Sequence, residues 1–241
     1  MSCCGERHCA GRDGMSEFGA AYTEYQVNRS RLRKLVRRAY LRSAQALLRG
    51  PTLDFGCGVG ELLERLPKGS RGMEYNQATV RYCRERGLPV DHYDGESDDW
   101  SLRLLTGGAR FESMVISHVL EHLEQPREVL RKLAAAARRL GVRRILVVVP
   151  GQKGFASDAT HRTFVDADFL SRPELLADAG FRLSRRRYYP GNMRVLGTGY
   201  PTMSCRCFSS PTPQIRSAEE RSALPPLSMP HIRRHTTTAA N

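Results

Sequence analysis

Long apolar runs are missing from this 241-residue chain: no unbroken aliphatic stretch outlasts Ile145–Val149. A membrane-spanning helix needs roughly 20 such residues, so no membrane span is expected. Polar residues and cysteines occupy the first positions, where a secretory signal would need an apolar core. The expected compartment is the cytoplasm. The seven cysteines, Cys3, Cys4, Cys9, Cys57, Cys83, Cys205 and Cys207, are odd in number and scattered, which argues against a disulfide framework and for reduced thiols. Cys3, Cys4, His8 and Cys9 crowd adjacent ligands into a tiny loop, a poor tetrahedral cage for zinc. Lysine is scarce, with 4 residues against 34 arginines. That skew fits codon bias in a GC-rich genome.

Positive charge is in surplus: 38 Lys and Arg face 25 Asp and Glu, a net +13. Its distribution decides how it reads. Residues 51–200 hold 23 basic and 19 acidic side chains, so most of the excess lies on the two flanks. A solvated arginine-rich surface accounts for this, and nucleic acid is not expected as a partner.

Residues 1–16 lack periodicity and read as a flexible lead. From Asn28 to Leu48, the residues Leu32, Val36, Tyr40, Ala44 and Leu47 recur at helical spacing, which predicts an amphipathic helix ended by Gly50-Pro51. Residues 17–50 are thus a helical cap, with Tyr22 and Tyr25 ahead of the helix as candidates to close a cleft. Beyond it, short apolar runs predict strands at 52–55, 72–75, 89–93, 113–117, 144–149 and 181–189. Helices are predicted at 60–66, 78–86, 126–140 and 172–179. Strands separated by helices of this length imply right-handed crossovers and a doubly wound α/β fold with a mostly parallel sheet. Residues 203–208 could add an edge strand, closing a domain of 51–208. The Pro-, Ser- and Thr-rich stretch 209–241 buries too little to offset chain entropy and reads as a disordered tail.

The chemistry concentrates at strand ends. Leu53-Asp54-Phe55-Gly56-Cys57-Gly58-Val59-Gly60 is a strand running into a glycine-rich turn, where a ligand can approach because no Cβ collides. Its GxGxG spacing departs from the GxGxxG of dinucleotide enzymes, and no Walker lysine follows. Twenty residues after Asp54, Glu74 closes the second strand with a carboxylate that can accept both hydroxyls of a ribose. Asp94, after the third strand, offers another near the place of an adenine amino group. Three consecutive strand ends so equipped make a nucleoside site at the sheet's carboxyl edge.

With these motifs, LDFGCGVGELL (53–63), GMEYN (72–76), SMVISHVLEHLEQPREVLRKL (113–133) and RILVVVPG (144–151), the sequence resembles class I S-adenosylmethionine-dependent methyltransferases of the small-molecule branch. The resemblance spans roughly residues 20–190. It implies a Rossmann-like seven-stranded sheet with an antiparallel last strand, and S-adenosyl-L-methionine as cofactor. It further implies that Gly56, Gly58 and Gly60 support the methionine part, Glu74 the ribose and Asp94 the adenine, with Asp54 orienting the amino group. The last hairpin departs from the pattern, because 202–210 is poor in β-branched residues.

Methyl transfer from a sulfonium needs alignment and exclusion of water more than acid–base help. His118, after the fourth strand, and His161, after the fifth, are the candidate catalytic residues. His118-Val119-Leu120-Glu121-His122 also matches the HxxEH of inverted zinc peptidases. That reading has no use for the glycine turn or Glu74, and no metal is expected. The expected activity is methyl transfer to a small metabolite or glycoconjugate. The alternatives are an inactive cofactor-binding module and a methyltransferase acting on RNA or protein.

Overall fold

The fifth predicted strand shows how the fold is built. In Ile145-Leu146-Val147-Val148-Val149, successive side chains point to opposite faces of a sheet, and every one is fully buried. Both faces must therefore be covered. Ile145, Val147 and Val149 join a core with Leu130, Leu133 and Ala137 of a long helix, whereas Leu146 and Val148 pack with Tyr40, Leu41, Ala44 and Leu47. A continuous branched run of this kind marks a buried central strand.

The protein is described here by a computed structural model, which covers residues 24, 38, 40–105, 108–189 and 203–210. The flexible lead, Tyr22 and Tyr25, most of the cap helix, the N-terminal cysteines and the tail beyond Ser210 lie outside the described residues. Seven strands form one sheet: β1 (Thr52–Phe55), β2 (Arg71–Glu74), β3 (Val90–His92), β4 (Ser113–Ser117), β5 (Arg144–Pro150), β6 (Arg182–Tyr189) and β7 (Met203–Ser209). Their order is β3-β2-β1-β4-β5-β7-β6. The first five pair in parallel, and β7 runs antiparallel to both neighbours. This is the doubly wound, Rossmann-like sheet with an antiparallel last strand that the sequence implied.

Helix α1 (Gln77–Glu85) starts at Asn76, whose side chain accepts from the amides of Ala78 and Thr79, satisfying two donors that a helix start leaves open. Helix α2 (Pro126–Arg139) has Pro at its first turn and buries Val129, Leu130, Leu133, Ala134 and Ala137 on one stripe. A short helix, α3 (Gln152–Ala156), follows β5.

Three expectations are corrected. The helix predicted at 60–66 shrinks to a single 3-10 turn at Leu63–Arg65, because left-handed Gly58 and Gly60 (φ +54° and +80°) hold the chain before it and Pro67 stops it. The helix at 172–179 is a run of turns: Pro173 and Gly180 bracket it, while Leu175 and Leu176 are still buried. The third concerns the last strand, which is not at the edge. It lies between β5 and β6, with Cys207 and Phe208 buried, so packing overrides its weak intrinsic β preference.

Candidate functional site at the carboxyl edge of the sheet

The parallel strands bring their carboxyl ends to one edge, where an open α/β sheet binds ligands. The turn after β1 is fixed from below: the amides of Gly56 and Cys57 both donate to the Met73 carbonyl, at 2.8 and 3.1 Å. Gly56 has φ +70°, and a Cβ there would lie 2.3 Å from Val119 Cγ2. No other residue fits, on either ground. Gly60 is constrained chiefly by its φ of +80°, since the atom nearest a built Cβ, Leu88 Cδ1 at 2.4 Å, is the movable end of a side chain.

Glu74 stands at the end of β2, half-buried against this turn. Its Oε2 accepts from the Gly58 amide at 2.8 Å and its Oε1 from the Asn76 amide at 2.9 Å. Burial pushes its carboxyl above the usual glutamate range, against the pull of those two amides. A carboxylate has about four acceptor positions, so capacity remains for a diol. Asp54 is buried in β1. Between them, the Cys57 thiol is pushed up by its bond with Cys83 and by burial, which keeps it protonated and unreactive.

Asp94 follows β3 and closes its own turn: Oδ1 accepts from the amides of Glu96 and Ser97, and Oδ2 from the Ser97 hydroxyl at 2.7 Å. The loop beyond is pinned by Asp98, which accepts from Tyr93 Oη and Arg103 Nε, each at 2.8 Å. Trp100 lies over Gly95, so close that a Cβ there would come within 2.3 Å of its ring.

His118 directly follows β4 in the left-handed region, φ +56°, a conformation that few non-glycine residues adopt outside functional or tightly held sites. Its Nδ1 lies 3.1 Å from Glu121 Oε1. Across the sheet face, the Tyr40 hydroxyl bonds Ser117 Oγ at 2.6 Å, which brings the described end of the N-terminal segment to the end of β4. The HxxEH stretch is no α-helix but a 3-10 turn at Leu120–His122, so His122 pairs with His161 instead of His118. The two rings stand 4.8 Å apart, edge to face.

His161 comes from the loop after α3. The Glu121 carbonyl accepts from the amides of both Arg162 and Thr163, at 2.7 and 3.1 Å, and so fixes that loop against the turn after β4. The His161 ring stacks on Phe155 and its side chain is only 8% exposed. His161 and His118 thus converge on one carboxylate, Glu121, which sequence reasoning passed over. Its signal was present in the HxxEH motif. Burial also pulls the His122 imidazole below its ordinary value, which keeps it neutral. Among the described residues, Glu74 ends β2, Gly56, Gly58 and Gly60 follow β1, Asp94 follows β3 and His118 follows β4 at the same sheet edge, while Asp54 lies within β1 and His161 comes from the loop after α3.

Two comparisons bear on this geometry. The model of the methionine biosynthesis protein MetW family matches residues 38–151, which include the glycine turn, Glu74 and the HxxEH stretch. Among solved structures, a SAM-dependent methyltransferase from Archaeoglobus fulgidus is similar over 79% of this chain and 99% of its own, with 22% identity and a TM-score of 0.59. The [4+2]-cyclase SpnF is similar over 73% of this chain and 81% of its own, with 18% identity and a TM-score of 0.50. No curated protein matches by sequence. The fold is that of class I S-adenosylmethionine-dependent methyltransferases.

Proposed function

From that fold, we propose that the protein binds S-adenosyl-L-methionine and transfers its methyl group to a small-molecule acceptor. One observation carries the reading: Glu74 presents a carboxylate with spare acceptor capacity, tied at 2.8 Å to the amide of Gly58. A nucleoside diol and a carboxylate beside a Cβ-free turn are complementary. When bound, the cofactor supplies a methyl group already activated on sulfur.

The chain's own residues do the rest. Glu74 holds the ribose hydroxyls. Gly56, Gly58 and Gly60 leave room for the methionine part, and Asp54 orients its amino group. Asp94 serves the adenine side, its carboxylate held in place by the turn it closes. Alignment in line with the sulfur–methyl bond and exclusion of water account for most of the acceleration such a reaction requires. His118, with a side chain 31% exposed against 8% for His161, is the more accessible of the two candidate histidines and the one placed to orient or deprotonate an acceptor. His161 is held beneath it through Glu121.

The small-molecule class is supported by the match to a family described by methionine biosynthesis. Of the predicted cap, the described residues Tyr40, Leu41, Ala44, Leu47 and Leu48 pack with Val115, Leu146 and Val148 of β4 and β5, and the cytoplasm is the compartment in this reading. A second reading, cofactor binding without methyl transfer, is favoured by one observation: the similar fold of SpnF belongs to a [4+2]-cyclase, so fold and reaction are separable. Incubation with methyl-labelled S-adenosylmethionine and fractionated cell extract tests both. Label in a small molecule supports the proposal. Label in RNA or protein moves it to another substrate class, and calorimetric binding without label transfer leaves the second reading.

A further inference from the structure

The turn after β4 and the loop after α3 bring together Glu121, His122 and His161, each with one ligand atom within 4.8 Å of the others. The protonation pattern of this cluster follows from its hydrogen bonds. His161 Nδ1 lies 2.8 Å from the Phe155 carbonyl, which can only accept, so Nδ1 carries a hydrogen and, in the neutral imidazole that a metal requires, Nε2 bears the lone pair. His122 Nδ1 faces the Thr160 carbonyl at 3.3 Å and the Thr160 hydroxyl oxygen at 3.1 Å. That hydroxyl gives its one hydrogen to Asp158 Oδ1, at 2.7 Å, so here too Nδ1 is the donor and Nε2 bears the lone pair. Carbonyl and hydroxyl partners of this kind fix the tautomer of metal-binding histidines.

What the His161 lone pair faces is more acceptor. Glu121 Oε1 is 4.0 Å from His161 Nε2, and Asp158 Oδ2 is 3.9 Å from it. Both distances are too long for a hydrogen bond. They fall within the spread between ligands that share one cation at about 2.0–2.2 Å. Glu121 is completely buried, and its Oε2 has no hydrogen-bond partner among the described residues. Leaving a buried carboxylate oxygen so is unfavourable, and a cation between carboxylate and imidazoles removes that penalty.

We propose that Glu121, His122 and His161 form a binding site for one divalent cation, with Asp158 beside it. Two imidazoles and a carboxylate suit manganese, iron, cobalt or zinc rather than calcium. Three protein ligands leave coordination positions open for water or for an oxygen of a bound molecule. The site does not depend on the methyl-transfer reading, and its test needs no methyl donor.

Manganese is the probe, because the seven cysteines of the chain compete for softer metals. The full-length protein is titrated with MnCl2, free Mn2+ is followed by its six-line electron paramagnetic resonance signal, and pulsed measurements look for nitrogen coupling. The expected result is one Mn2+ per chain with imidazole nitrogen coupling. Glu121→Gln keeps an acceptor toward His118, and His161→Asn keeps a donor toward Phe155; each should weaken Mn2+ at least tenfold. No stoichiometric Mn2+ at millimolar concentration overturns the site, as does unchanged affinity in both variants. Should either variant fail to fold, the nitrogen coupling of wild type decides: its absence from bound Mn2+ places the ion elsewhere.

Discussion

Glu74 is the residue on which the nucleoside site turns. Charge-assisted hydrogen bonds to a ribose diol contribute roughly 1.5–3 kcal/mol. Glu74→Ala should therefore weaken S-adenosylmethionine and S-adenosylhomocysteine alike by roughly one to two powers of ten, measured by calorimetry. Glu74→Gln should lose less. The pH dependence has a definite sign. The folded carboxyl titrates above the usual glutamate range, so affinity should fall as the pH drops through that raised value, and the Gln variant should show no such fall. In the unliganded protein the same shift contributes stability at low pH that is lost as the pH rises through the folded value. Glu74→Gln should consequently melt no lower than wild type at neutral pH. Asp98 behaves oppositely. Burial alone would raise its carboxyl, but Arg103 and the Tyr93 hydroxyl bring it down to about 2. Its contribution is present above the unfolded value and disappears as the pH falls toward 2. Asp98→Asn should cost about 1–2 kcal/mol at pH 7, with urea unfolding showing the gap narrow below pH 4.

Among the elements, β7 is held by its neighbours more than by its own composition. Met203–Ser209 pairs residue for residue with β5 over seven positions, and Phe208 is buried in the main core with Ile145 and Val147. Phe208→Ala should cost about 3–5 kcal/mol, a large fraction of a domain's stability, read from the urea midpoint. Sequence could not reveal this placement, since Cys, Ser and Arg carry no strong strand signal and the pairing is wholly non-local. By contrast, β5 was legible because its branched run Ile145–Val149 ends at Pro150, and β1, β2 and β4 because short apolar stretches lead into the Gly56, Glu74 and His118 motifs. The glycine turn was legible from spacing, and Glu74 from its distance to Asp54. The helix at 172–179 was misread because Leu175, Leu176 and Ala179 imitate helical spacing. Glu121 escaped notice as a shared partner of both histidines because the pairing of His122 with His161 joins residues 39 apart in sequence. No local pattern reports that. The edge strand β6 presents exposed Arg182, Arg185, Arg186 and Arg187, charges that oppose edge-to-edge pairing with a second sheet.

For the whole molecule, the expectation is that the far C-terminal stretch contributes little to the folded domain. Residues 212–241 hold no apolar periodicity, so deleting them should leave both the melting temperature and cofactor affinity unchanged, by thermal denaturation and calorimetry. A drop of several degrees or loss of binding would show that this stretch packs on the domain. Deletions reaching further should behave very differently. Strand β6 meets the described sheet through β7 alone, although β6 is synthesised first. A stop codon anywhere between Tyr189 and Met203 therefore removes one strand from the chain but two from the sheet. β5 is then left as a bare apolar edge and β6 with nowhere to dock. On the ribosome, the same wiring means that the sheet is completed only when residues 203–209 have emerged, and every shorter nascent chain carries an open template for aggregation.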